Sequence, residues 1–318
     1  MSRVISIVSR AKHSLLAFSL ACALVTTTSC ATADKRRERE PQISHQSSHL
    51  LGYQVFSIGH SFLAFQPPLL EQLAHSTGLT EHRQLGASIL GGSLAQHHWD
   101  LPDSANTAKQ MLRSGSVQAL QIASLNPIFN PDPGVQAFAK LAWSHNPRTK
   151  IFLQANWMAW DTPQFPPKRV PKTLEELGRN GRTGSELLDL HREYFDTVRL
   201  QVDELNAQAG RHLAFVVPAG SALIAVREEV RKGKLPGVPT QDDLFTDLLG
   251  HPGPVIQAVV AYCHFAMMYN RSPVGLPLPA DLKDSAPDLP WPALNPRLQQ
   301  IAWDAVAPLP RPTADDGQ

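Results

Sequence analysis

The 318-residue chain is poor in cysteine, with three in all, so no disulfide framework organises it. It also lacks a surplus of either charge, since 29 Lys+Arg stand against 28 Asp+Glu. Three of those basic residues, Arg3, Arg10 and Lys12, lie in the first few turns of chain. Nucleic acid and anionic membrane surfaces call for a basic footprint, so neither is an expected partner. There is no Walker A or Gly-x-Gly-x-x-Gly motif for a nucleotide, and no Gly-x-Ser-x-Gly elbow. The adjacent histidines of "QHHW" (Gln96–Trp99) point in different directions, and no His-Glu-x-x-His helix accompanies them. No metal and no cofactor are therefore expected. The first apolar run, "LLAFSLACALV" (Leu15–Val25), is too short to span a bilayer.

That run, behind its basic start, reads as a secretory signal peptide covering residues 1–33, with "ATA" (Ala31–Ala33) as the small-residue cleavage site. A second reading lipidates Cys30 in "TTSC", although Thr27 stands where such boxes usually carry Leu. Either way an exported protein is expected, periplasmic, secreted or envelope-bound, touching a membrane only through an anchor at Cys30. Residues 34–50 are charged and polar without apolar period, and read as a disordered linker. Cys263 remains alone in "AVVAYCHFAMMY", where a buried small hydrophobe is expected.

From Tyr53 onward, strand and helix patterns alternate. "YQVFSI" (Tyr53–Ile58), "VQALQIA" (Val117–Ala123), "KIFLQA" (Lys150–Ala155) and "HLAFVVP" (His212–Pro218) read as strands. Between them lie helical patterns, the clearest having Leu187, Leu190, Tyr194, Val198, Val202 and Leu205 three or four apart. "GASILGGSLAQHHWD" (Gly86–Asp100) reads as loop and turn. The proline-broken stretch 156–184 reads as a long functional or mobile loop, its Trp157, Trp160 and Phe165 available for a sugar, though at least two suit core packing better. The expectation is an α/β fold with a mostly parallel central sheet, one domain over 51–278, and a Pro-rich tail over 279–318 with at most a short helix.

Sites on such sheets gather at the carboxyl ends of the strands. There, "GHS" places Ser61 directly after the first strand and before the first helix. Ser61 is either a helix N-cap, serine's commoner role, or a nucleophile favoured by the helix's positive end. A nucleophilic serine needs a base and an orienting group. His251 and Asp247, four apart ahead of the helical run from Pro254, meet if their turn is helical. Gly92, in a flexible turn, offers a backbone N–H for an oxyanion, and Asn126 and Asn156 at strand ends offer side-chain amides.

This ordered set resembles the SGNH or GDSL hydrolases, closest to exported bacterial members whose first block reads "GNSF". "GHSF" (Gly59–Phe62), "GGSLAQHHW" and "GHPG…SPVGLP" carry the resemblance, over roughly residues 53–277. It implies a flavodoxin-like three-layer α/β/α sandwich and a serine esterase forming an acyl-enzyme on Ser61. His251 is then the base and Asp247 the orienting acid. Gly92 and Asn126 (alternatively Asn156) complete the oxyanion hole with the Ser61 N–H. The implied substrate is a small-molecule or glycan ester, carbohydrate O-acetyl groups among them. The chain departs from the family pattern at His60, usually Asp or Asn, at the Asp–His spacing, usually three, and at "SLNP", where Gly-x-Asn-Asp is the rule. Those departures keep a second expectation open, a non-catalytic binding protein of the same fold.

Overall fold

The computed structural model describes residues 51–125, 131–161 and 170–313. Five short strands form the centre: β1 (Gln54–Gly59), β2 (Arg83–Ile89), β3 (Ala119–Ile122), β4 (Lys150–Gln154) and β5 (Ala214–Val217). They pair in the order β2-β1-β3-β4-β5, parallel throughout. Parallel neighbours require crossovers, and here helices supply them on both faces. The result is a three-layer α/β/α sandwich with flavodoxin-like strand order.

Side-chain alternation divides the sheet into two cores. Val55, Ala119, Phe152, Phe215 and Val217 face α1 (Gln66–Ser76), α7 (Ala219–Arg231), α8 (Pro254–Tyr269) and α10 (Trp291–Val306). Phe56, Ile58, Leu120, Ile122, Ile151 and Leu153 face the other layer. That layer comprises α2 (Ala95–Trp99), α3 (Thr107–Arg113), α4 (Pro133–His145) and α6 (Gly184–Ala209). Two short helices, α5 (Leu174–Leu177) and α9 (Ala280–Ser285), complete the set. The long helix expected from its apolar spacing is α6. Thr183 and Glu186 close its first turn as a reciprocal capping box, and Gly210 ends it in the left-handed region at φ 68°. Cys263 is fully buried in α8, as expected.

Three expectations need correction. Residues 83–89 are a strand, not loop, and 95–99 a helix. β2 is an exposed edge strand whose register slips where Gly86, at φ 155°, lies against the Phe56 ring, so it shows no apolar alternation. The segment after 279 is no tail: α10 packs along α8 and buries Trp291, Leu294, Leu298, Ala302 and Val306. The stretch 156–184 is partly built, with α5, a single 3-10 turn at Arg179–Gly181, and Trp157 and Trp160 buried as core. Phe165 lies outside the described residues.

Candidate active site

β1 lies between β2 and β3, so the chain winds to one side of it and then to the other, and sites on such sheets form at this switch point, beyond the strands' carboxyl ends. Four strand ends converge there, followed by Ser61, Gly92, Ser124 and Asn156. Gly59 is required for room rather than for an unusual φ: a Cβ there would lie 3.1 Å from both the Ala123 Cβ and carbonyl oxygen. Ser61 sits in the tight turn that follows, built on the His60 carbonyl, which accepts from the Leu63 and Ala64 N–H groups. The N-cap position of α1 belongs to Phe65, without a side-chain cap. Ser61 is therefore not the cap, and its hydroxyl is engaged elsewhere.

That engagement is with His251. The Nε2 atom of His251 lies 2.9 Å from Ser61 Oγ, and its Nδ1 lies 2.5 Å from Asp247 Oδ2. The other carboxylate oxygen of Asp247 accepts the His251 backbone N–H at 3.1 Å. A carboxylate only accepts, so the ring donates from Nδ1 and leaves Nε2 to accept the serine proton. The turn between the two residues is not helical. Phe245 and Pro252 bridge as antiparallel partners, the Thr246 N–H donates to the His251 carbonyl, and Gly250 turns at φ 79°. A small hairpin thus achieves the meeting that the i, i+4 argument assigned to a helix. Partial burial raises the Asp247 pKa, but hydrogen bonds from the His251 side chain and backbone outweigh it and hold the carboxyl below its usual range.

The hairpin is pinned from two sides. Trp157 Nε1 donates to the Gly250 carbonyl at 3.0 Å, and its ring stacks on Phe62 with centroids 4.4 Å apart. Phe62 meets the His251 ring edge-on at 5.8 Å, so the residue after Ser61 also buttresses the imidazole. Arg179, fully buried, reaches the carbonyls of Ala159, Asp247 and Leu248 and stacks on Phe245. Nothing in the sequence singled out Arg179, which reaches carbonyls 20 to 69 positions away and lies 3.7 Å from the Asp242 carboxylate.

The remaining site residues fare differently. Gly92 is exposed in a left-handed turn (φ 60°), with open space where a Cβ would stand. Asn156 is fully buried: its Nδ2 donates to the Ser124 carbonyl at 2.7 Å and faces His60 Nε2 at 3.4 Å. Its Oδ1 accepts from Gln154. This amide crosslinks the strand ends rather than waiting for a substrate oxygen. Asn126 lies outside the described residues. His60 is buried, and desolvation pushes its pKa down to about 4, against a hydrogen bond with the Ser124 backbone that raises it. A neutral, space-filling imidazole thus stands where the resemblance expects a small polar residue.

No cluster of three or more His, Cys, Asp or Glu suited to a metal occurs among the described residues. No described helix is long and apolar enough to cross a membrane. No family model matches the chain, and neither does any curated protein. Among solved structures, a protein from Slackia heliotrinireducens named "a putative SGNH hydrolase" is similar at 14% identity and a TM-score of 0.41. The match covers 67% of this chain and 96% of that one.

Proposed function

We propose that this chain is a serine ester hydrolase with Ser61 as nucleophile, His251 as general base and Asp247 as the group that orients it. The observation carrying this reading is the continuous chain of hydrogen bonds from Ser61 Oγ through both ring nitrogens of His251 to Asp247. As Oγ attacks the ester carbonyl, His251 Nε2 takes its proton, and the Asp247 carboxylate stabilises the resulting imidazolium. His251 then returns the proton to the departing alkoxide, leaving Ser61 acylated. Water, deprotonated by the same Nε2, attacks the acyl-enzyme, and His251 passes that proton to Ser61 Oγ as the acid departs. The N–H groups of Ser61 and Gly92 are the proposed donors to the tetrahedral oxyanion. Carbohydrate O-acetyl groups as the substrate, which rest on the family resemblance, and export by way of residues 1–33 or a lipid on Cys30, which rests on the sequence, belong to the same proposal.

Hydrolysis of p-nitrophenyl acetate by the purified protein tests it, beside Ser61→Ala and His251→Ala with folding checked by circular dichroism. Turnover in wild type and its loss in both folded variants is the expected result. Equal background rates in all three, with no Ser61-dependent labelling by a fluorophosphonate, would hand the site to a non-catalytic binder of a glycan or envelope ligand.

A further inference from the structure

The "QHHW" motif, set aside as a metal site, acquires a different meaning from its contacts. His97 is exposed, and its Nδ1 accepts the Leu94 N–H at the start of α2. His98 is fully buried with both ring nitrogens engaged: Nδ1 lies 2.8 Å from Ser88 Oγ, and Nε2 lies 2.8 Å from Ser93 Oγ. Ser88 is the last residue but one of β2, whose Ile89 still pairs with Gly59, and Ser93 begins the approach to α2. The two hydroxyls therefore grip the turn Ile89–Gly92 from either side. Within that turn Leu90, Gly91 and Gly92 are exposed, and two glycines have no side chains with which to hold a conformation.

We infer that His98 is a positioning residue for the reaction at Ser61, clamping the turn that presents the Gly92 N–H. The inference rests on the hydrolase reading above. Burial drives the His98 pKa down to about 4, against a hydrogen bond with the Gly59 backbone that raises it, so the ring is neutral. A neutral ring carries one N–H, so it donates to one serine and accepts from the other. The Gly59 contact and the bond from Leu90 N–H to the Gly59 carbonyl join this clamp to the strand that delivers Ser61. The platform beneath the ring is fixed too. Asp132 accepts from the N–H groups of Ala95 and Gln96 at the start of α2, and Asn106 Nδ2 donates to the His98 carbonyl.

The test compares His98→Ala, the smaller change Ser93→Ala, and His97→Ala as a neighbour control. Each kcat is counted per active site titrated by fluorophosphonate, and amide exchange is followed over residues 89–94. Losing an oxyanion donor's alignment should lower kcat about 100-fold in His98→Ala and about tenfold in Ser93→Ala, with KM within about threefold. Exchange over 89–94 should quicken in both, and His97→Ala should match wild type. A role confined to folding would reduce the number of titrated sites and leave kcat per site alone, which overturns the proposal. Unchanged exchange overturns it as well. Wild type without Ser61-dependent turnover would instead sink the hydrolase reading, before any variant is compared. In that case quickened exchange still supports the clamp, and unchanged exchange removes it.

Discussion

At the scale of single residues, the decisive quantity is which His251 nitrogen carries the proton. Asp247 fixes it on Nδ1 from a position at the rim, its side chain 41% exposed. Solvent weakens the Coulombic part of this pair, so its main value is orientation and tautomer rather than stability. Asp247→Asn removes the obligatory acceptor and lets the ring turn its N–H toward Ser61. We expect kcat to fall by about three orders of magnitude with little change in melting temperature. Steady-state kinetics with titrated sites and a thermal melt check both halves, and a loss under tenfold would mean that Asp247 does not orient the base. Ser61, His251 and Asp247 were legible in the sequence because each sits beside a feature that punctuates the chain: a strand end, a glycine turn, the proline that opens α8. Arg179 and His60 were not. The first works largely through backbone carbonyls, which leave no residue pattern, and the second occupies space that only the folded neighbours define.

At the scale of elements, legibility followed burial. β1, β3, β4 and β5 are largely buried, and their apolar runs announce them. β2 is an edge strand, held by pairing to β1 and by glutamine contacts, and it reads as loop. The case of α10 is different, because its stripe Trp291, Leu294, Leu298, Ala302, Val306 has clean helical spacing. Proline masked it: Pro292 falls in the first turn, where a missing N–H costs nothing, but Pro296 sits inside and forfeits a backbone bond. Packing against α8 offsets that loss. Leu298 is wholly buried, so Leu298→Ala should cost roughly 2–5 kcal/mol. For a chain of this size that corresponds to a melting temperature lower by roughly 5–15 °C. Truncation after Pro290 should leave protein without a cooperative melt. A truncated chain that melts like wild type would restore the tail that the prolines suggested.

At the scale of the whole molecule, one buried polar chain explains why Ser57, Gln121 and Gln154 interrupt otherwise apolar strands. Gln84 Nε2 donates to Ser57 Oγ, Ser57 to Gln121 Oε1, and Gln121 Nε2 to His264 Nδ1. His264 Nε2 in turn donates to Gln154 Oε1, and Gln154 Nε2 donates to the Phe62 carbonyl beside Ser61. The sequence shows these polar residues but not that they share one face under α8. The chain requires a neutral His264, whose burial pushes its pKa down to about 3, as burial pushes His60, His82 and His98 to about 4. This sets how the fold responds to acid. In the unfolded chain these imidazoles titrate near the usual 6.5 or so, so below that pH the unfolded state binds protons that the native state refuses. Each contributes a loss of about 1.4 kcal/mol per pH unit, beginning near 6.5 and ending where the native ring finally protonates. Asp247 acts in another window: its depressed folded pKa makes a contribution that is lost only as the pH falls below the ordinary carboxylate range. Urea denaturation at successive pH values should therefore show stability dropping steeply between about pH 6.5 and 4, by several kcal/mol even if only two of the four rings behave this way. Nitrogen NMR at pH 5 should find at least these four imidazoles still neutral. Stability that stays flat across that range, with every histidine titrating near 6.5, would mean that the buried rings are open to water and that the polar chain does not hold.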